Sequence, residues 1–371
     1  MALQTAYTSQ VFHFNFQART SRGAMRERKS WFVKIWDDVN TEVFGLGECA
    51  PLPGLSIDDV PDYEEQLRET LQRLQELTID NGQLTTDKIQ LLIKQVISPQ
   101  YPSIIFGLET ALLDLMNGGR RIIFQNDFQK GRELPINGLI WMADMDLMLQ
   151  QIAIKVYDGF NCIKMKVGGL NFEKECDILH YVRKKYYRED ITIRLDANGA
   201  FKPDDCLYKL KELSKFGIHS IEQPIKAGQR SLMRELSEQS PIPIALDEEL
   251  IGVNTLEEKQ LLLEECGAPY IILKPSLHGG IQSSLEWIKV AEEKKIGWWI
   301  TSALESNIGL NAICQMTAQF PVEIPQGLGT GQLYDNNIES PLLVKKGNIS
   351  LSQSQEWNIE SLNFITIQNN G

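Results

Sequence analysis

Hydrophobic and polar positions follow three rhythms along the chain. In VFHFNF (11–16) and SWFVKIW (30–36) they alternate with a period of two, which predicts half-buried strands. The charged, glycine-containing stretch from Ser21 to Lys29 reads as the loop between them, and FGLGECAPLPG closes the unit. From about Asp58 to Leu77 the period becomes helical, with Tyr63, Leu67, Leu71 and Leu74 on one face. A second helix is predicted over about Thr86 to Val96, and a third, more apolar one from Pro102 to Met116. Three strands followed by three helices make an α+β unit.

The third rhythm begins at LPINGLI (134–140), where short runs rich in Ile and Leu alternate with helical patterns. The predicted strands continue with CIKMKVGG (162–169), ITIRLDAN (191–198), GIHSIEQP (217–224), PIPIALDEE (241–249), YIILKP (270–275), GWWITS (297–302) and VEIP (322–325). Continuous apolar strands of this kind are buried on both faces, as in a parallel sheet covered by helices. Asp196, Glu222, Asp247 and Lys274 follow one another at intervals of 26, 25 and 27 residues, about one strand, one helix and two loops per step. The expected fold is α/β: a modified (β/α)8-type TIM barrel over 126–334 behind an α+β domain over 1–125. The tail from about 335 to 371, with strand-like LLVKKGNISL and FITI, is expected to return to the first domain.

Composition narrows the function classes. The chain has 371 residues, of which 43% are hydrophobic and 23% charged, as in an ordinary globular protein. A net charge of −12 without a basic tract argues against a nucleic-acid partner. The six cysteines form no CxxC pair, so disulfides are not required and a reducing cytoplasm is the expected location. The N-terminal MALQTAYTSQVFHF has no signal-peptide pattern and no 18-residue apolar run exists, so no membrane partner is expected.

The strand ends carry the candidate chemistry. In a β/α barrel they surround one mouth, so Asp196, Glu222 and Asp247 should share a rim. Carboxylates crowded together resist ionisation unless a counter-charge is present, and oxygen-only ligands favour Mg2+ over zinc. Each carboxylate taken singly could instead cap the helix that follows it; three in step with a lysine argue for the shared site. Residues two apart share a strand face, so Arg194 and Asn198 should line the interior beside Asp196, and Lys164 and Lys166 should point the same way. Those lysines could alternatively face solvent. If they face the mouth, burial beside each other and a metal should lower their pKa values, and such a lysine accepts a proton near neutral pH. Lys274 would arrive nearly opposite, and a substrate between the lysines suits removal of a proton next to a carboxylate. His278, in the loop after Lys274, is a weak candidate substrate contact; the other histidines lack a second ligand nearby.

With KMK at 164–166, DAN at 196–198, EQP at 222–224, DEE at 247–249 and KPS at 274–276, the chain resembles the enolase superfamily over nearly its whole length. That resemblance implies a capping domain on a modified barrel, with Mg2+ (Mn2+ as a substitute) held by Asp196, Glu222 and Asp247. It implies Lys166 as the base and Lys274 as the opposing acid or electrostatic group, with Lys164 beside them. RGAMRERKSWFVKI, GLGECAPLPGLS, YPSIIFGLETAL, RLDANGAF and TSALESNIGL look like the o-succinylbenzoate synthase family of menaquinone biosynthesis. Its members dehydrate a succinyl-bearing cyclohexadiene carboxylate, a small-molecule substrate. By that likeness Gly23 to Arg28, including Arg26 and Arg28, and Ser302 would line the pocket. The alternative on the same scaffold is an N-acylamino acid or dipeptide racemase, although ITSALE (300–305) lacks a DxD for a dipeptide amino group; muconate-type cycloisomerisation is a further relative. A Schiff-base aldolase would use a buried lysine but needs no rim carboxylates, and a binding protein would need no opposed lysines.

Overall fold

The computed structural model describes residues 2–20, 23–77, 79, 83–187 and 190–368. Its N-terminal sheet has the strand order β14-β1-β2-β3, built from β1 (Leu3–Thr20), β2 (Gly23–Asp37), β3 (Phe44–Cys49) and, from the far end of the chain, β14 (Ile365–Thr366). The first two strands are much longer than the alternation predicted. Pairing of Ala18 with Met25, Arg19 with Ala24 and Thr20 with Gly23 carries the hairpin through most of the expected 21–29 loop. Apart from buried Ala18, the side chains of that extension are exposed or half-exposed, so no continuous buried face marks it in the sequence. Ser21 and Arg22 lie outside the described residues.

Helices α1 (Tyr63–Glu76) and α3 (Pro102–Met116) pack on this sheet, and α2 (Thr86–Val96) packs on those two helices. α3 is apolar nearly all round because it lies between the sheet and the rest of the molecule. Gly45 and Gly47 allow its close approach: a Cβ on either would stand 1.8 Å from the Ala111 carbonyl oxygen or 1.9 Å from that of Gly107.

The barrel is a seven-stranded parallel sheet: β5 (Gly138–Ile140), β6 (Cys162–Lys166), β7 (Thr192–Asp196), β8 (Ser220–Glu222), β9 (Ile244–Leu246), β10 (Tyr270–Leu273) and β11 (Gly297–Ile300), neighbours in chain order. A helix follows each: α4 (Met145–Tyr157), α5 (Phe172–Lys185), α6 (Pro203–Ser214), α7 (Arg230–Gln239), α8 (Leu256–Cys266), α9 (Gly280–Glu293) and α10 (Asn307–Thr317). The predicted eighth strand at 322–325 is not one. Pro325 deprives VEIP of a ladder donor and the Val322 N–H turns to the Phe320 carbonyl at 2.9 Å, and closure falls to the next two residues, where Gln326 bridges Ile136 and Gly327 bridges Thr301.

The tail divides. β12 (Leu342–Lys345) and β13 (Asn348–Leu351) form a hairpin on β4 (Leu134–Pro135), the segment leading into the first barrel strand, whereas only β14 reaches the N-terminal sheet. LLVKKGNISL therefore does not join the first sheet, as the sequence suggested. Its pairing surface is the edge of the short β4, which pattern alone does not show.

Candidate active site

Three carboxylates converge at the barrel mouth. Asp196 ends β7, Glu222 ends β8 and Asp247 follows β9, and one oxygen from each lies within 4.8 Å of the others. All are buried, and their charge is matched by three equally buried ammonium groups. Lys164 Nζ donates to Glu222 Oε2 at 2.7 Å and lies 3.3 Å from Asp196 Oδ2. Lys166 Nζ donates to Asp196 Oδ2 at 2.6 Å and to Asn198 Oδ1 at 2.9 Å, and Lys274 Nζ reaches Asp247 Oδ1 at 2.7 Å. Strand register explains the convergence, since Lys166, Asp196 and Glu222 are cross-strand neighbours in one layer while Lys164 begins a layer lower and reaches up. None of the three carboxylates caps the helix after its strand. Asp196 Oδ1 instead accepts from the backbone N–H of Asn198 at 3.0 Å.

The crowding sets the protonation states. Burial alone would raise Asp196, but Lys166, Lys164 and Lys274 hold it well below the usual carboxylate range. Burial raises Glu222, and Asp196 and Asp247 add to the rise against Lys164, so its carboxyl is pushed up to about 8. The lysines split: Lys166 follows the expected lowering, but Lys164, expected to be lowered with it, does not. Lys166 is lowered by burial, with Lys164 and Lys274 reinforcing it against Asp196. Burial also disfavours charge on Lys164 and Lys274, but Glu222 and Asp196 outweigh it at the first and Asp247 and Glu248 at the second, so both are raised. The surroundings thus shift Lys166 toward its neutral form and Lys164 and Lys274 toward their charged forms.

The carboxylate set fits a hard divalent cation. It offers oxygen ligands only, and Glu222 Oε1 is a buried carboxylate oxygen without a partner. A cavity of about 70 Å3 opens above it, with Lys164, Lys166, Asn198, Lys274 and Ser302 in its wall and Met25 and Leu52 closing it from the N-terminal unit.

Other expected contacts fall elsewhere. Arg194 does face inward, but from the layer beneath: Nη1 donates to the Pro325 carbonyl at 2.7 Å and the guanidinium lies 4.2 Å from the Trp299 ring centre. Arg26 is exposed on β2 and is not part of the cavity wall. Arg28 is buried, and both its Nη groups donate to backbone carbonyls, those of Ala303 and Ala50, so it fastens the hairpin to the 301–305 loop. The Ser302 hydroxyl is committed, donating to Glu305 Oε2 at 2.6 Å while accepting from Leu304 N at 3.0 Å. His278 is buried away from the cavity, its Nδ1 accepting from Lys274 N at 3.1 Å, and burial pushes its pKa down to about 3.

Two supporting residues escaped the sequence reading. Gln223, left-handed at φ 37°, accepts from the backbone N–H of Asp247 and of Glu249 at 3.2 Å each and donates to Glu249 Oε2 at 3.1 Å. It fixes the loop that carries Asp247. Glu305 accepts from Ser302 and from Ser276, tying the loop after Lys274 to that after β11. Both stood inside quoted motifs, EQP and TSALESNIGL, but their partners, Glu249 for Gln223 and Ser276 for Glu305, lie 26 and 29 positions away and leave no local signal.

Comparisons with known proteins follow this geometry. Residues 148–355 match the family described as enolase C-terminal domain-like. The chain is 42% identical to the o-succinylbenzoate synthase of Desulfotalea psychrophila, over 94% of this chain and 99% of that protein. The crystal structure of MenC from the same organism superposes with a TM-score of 0.84 at 38% identity, covering 95% of this chain and 100% of that one. An N-succinyl-L-Arg/Lys racemase of Bacillus cereus is 25% identical over 79% of this chain and 77% of its own. A buried acidic triad paired with three buried lysines on a modified barrel, carried by a chain so similar along its length to such relatives, places this protein in the enolase superfamily.

Proposed function

We propose that the chain dehydrates 2-succinyl-6-hydroxy-2,4-cyclohexadiene-1-carboxylate to o-succinylbenzoate in menaquinone (vitamin K2) biosynthesis, acting as a carbon–oxygen lyase in the cytoplasm. Likeness to a synthase of that name along nearly the full length carries the choice of substrate. The geometry supports the reaction class.

In this reading Asp196, Glu222 and Asp247 hold Mg2+, which when bound supplies positive charge to the substrate carboxylate and eases loss of the adjacent proton. Lys166 takes that proton. Burial lowers its pKa, in the direction that favours the free amine, and the Asn198 amide oxygen orients it. The protonated Nζ then delivers the proton to the hydroxyl leaving from the same face, so a C–H and a C–O bond break, water departs and the ring becomes aromatic. Lys274 keeps its charge, since Asp247 raises its pKa, and stabilises the negative charge developing on the substrate. Lys164 neutralises Glu222 and Asp196 from below. The α+β unit of residues 1–125 caps the barrel of 126–334, with Met25 and Leu52 excluding water from the cavity.

The test is formation of the aromatic product, followed by absorbance, with Mg2+, with chelator and with Lys166→Ala. Metal-dependent turnover lost in the variant is expected; no turnover by folded, metal-supplied protein would overturn the assignment. Lysines entering from β6 and β10 also suit proton exchange at one carbon, as in an N-acylamino acid racemase. Deuterium incorporation into N-succinylamino acids in deuterated water measures that second reading.

A further inference from the structure

A second cavity, of about 450 Å3, lies against the reaction cavity and has Asn137, Leu139, Trp141 and Gly329 in common with it. Its origin is in the barrel's incomplete outer ring. Each barrel strand from β5 to β11 is followed by a helix, but none follows Gly327 within 328–341. α4 packs on α5, and among the described residues 328–341 supply no helix to stand beside it. The face left open carries Leu147, Gln151, Ile154 and Lys155, spaced at i, i+4, i+7 and i+8.

The chemistry of this space is specific. Phe16, Trp141 and Phe160 give it aromatic walls, the first two with ring centres 5.3 Å apart. Its cations are Lys155 and Arg19, and neither has a carboxylate partner in contact among the described residues. The Lys155 stem lies on Gly138, where a Cβ would come within 3.0 Å of it, and its ammonium stands 5.0 Å from the Phe160 ring centre. Asp144 is the acidic residue in the wall, and its side chain is occupied in capping α4 through Leu147 N at 2.9 Å; Asp158 acts on Lys155 only at longer range. Asn137, 3% exposed, contributes an amide oxygen with no hydrogen-bond partner. In a protein of net charge −12, a cavity with aromatic walls and two uncompensated cations is a local inversion of sign.

We infer that this cavity is a second ligand site, separate from the reaction cavity, that takes an aromatic carboxylate. Its volume accommodates one or two fused rings, the walls stack on them, and Lys155 and Arg19 receive the carboxylate. That the natural occupant is the reaction's own aromatic acid rests on the proposed function; binding of an aromatic acid does not. Gln151 links the two sites, because its side chain accepts from Trp141 N at 2.8 Å and donates to Trp141 O at 3.1 Å. An occupant pressed against α4 thereby bears on a wall of the reaction cavity.

The experiment is calorimetric titration of the full-length, Mg2+-supplied protein with 2-naphthoate, and with neutral 2-naphthalenemethanol as control. Saturable naphthoate binding is expected, weakened about tenfold by Lys155→Ala or by Ile154→Glu, the worth of one charge-assisted contact. Lys166→Ala should bind as the parent does. Ile154 is 49% exposed, so its substitution leaves the fold intact. Absence of saturable binding, equal affinity for the alcohol, or loss in Lys166→Ala but not in the α4 variants would each overturn the inference. Naphthoate binding at α4 without dehydratase turnover would sink only the proposed reaction, and turnover without such binding only this site.

Discussion

Two groups of buried carboxylates in this molecule, one at a seam and one at the barrel mouth, differ in the kind of donor that satisfies them. At the seam between the N-terminal unit and the barrel, Glu48 accepts from Ser306 N at 2.9 Å, Ser306 Oγ at 2.6 Å and Gly309 N at 2.9 Å, all at the start of α10. Glu109 accepts from the backbone N–H groups of Ile281 and Gln282 at the start of α9 and from Gln90 Nε2 at 2.8 Å. At the mouth, Asp196, Glu222 and Asp247 face lysine ammonium groups instead. Backbone donors are fixed in place, and a helix N-terminus favours the negative charge, so the seam carboxylates act as staples. Ammonium groups on flexible stems can move aside or give up a proton. Burial alone does not mark a functional carboxylate; the mobility of what neutralises it does.

The largest test of this contrast is at the mouth. Lys166→Ala should lower turnover about 10^3-fold, in the range expected for loss of a general base, with little change in urea stability because Asp196 retains Lys164 at 3.3 Å. Turnover within a few fold of the parent would remove Lys166 from the base role. Chelation should abolish activity reversibly, and Glu222→Gln should raise the Mg2+ concentration needed for half-maximal rate by about 100-fold or more, beyond the loss caused by altering an outer partner. An unchanged Mg2+ requirement would show that the triad is not the metal site.

At the seam the same kind of change should act on stability. Glu48→Ala leaves three buried donors without an acceptor, at about 1–3 kcal/mol each before relaxation, so a loss of roughly 3–5 kcal/mol is expected in urea denaturation. A loss below about 1 kcal/mol would show that the staple does not hold the units together.

Glu109 gives the seam a pH signature. Burial pushes its carboxyl up to about 7 from an ordinary 4.5, against the lowering by Gln90, Ile281 and Gln282. The folded state therefore binds the proton more tightly than the unfolded one. Its contribution is fully present below about pH 4.5 and is lost as pH rises through about 7. The change amounts to at most about 3 kcal/mol. Denaturant midpoints for the parent and Glu109→Gln across that window should converge at low pH in slope, with the variant flatter; identical slopes would assign the pH dependence elsewhere.

These contrasts were unevenly visible in the sequence. The even spacing of Asp196, Glu222, Asp247 and Lys274 was legible because a parallel barrel repeats one strand and one helix per step and places every strand end on the same rim. Alternation correctly turned Arg194 inward but said nothing of depth, so a residue of the layer below was assigned to the mouth; the contacts with Pro325 and Trp299 that hold it there come from distant segments. The seam was invisible for the same reason. Glu48 and Ser306 are 258 positions apart, and nothing local to GLGEC announces a helix start as the partner. The closing strand was misplaced by a few residues, since two bridged residues leave no periodicity to read.

The smallest expected effect separates two arginines that the sequence treated alike. Arg26 and Arg28 are two apart on β2 and so point to the same face, yet the first is exposed and the second is 1% exposed. The difference lies in where the hairpin leaves the body. At Arg28 it lies against the 301–305 loop, whose Ala303 carbonyl accepts from the guanidinium, whereas the Arg26 side chain is exposed. Arg26→Ala should accordingly change turnover and KM less than twofold and stability by no more than about 0.5 kcal/mol, as for an ordinary surface position. Arg28→Ala should raise KM and lower the urea midpoint together, because it frees the loop that carries Ser302 and leaves two buried carbonyls unpaired. A KM raised about tenfold by Arg26→Ala alone, with stability unchanged, would instead show that the hairpin folds down over bound substrate and brings Arg26 to its carboxylate.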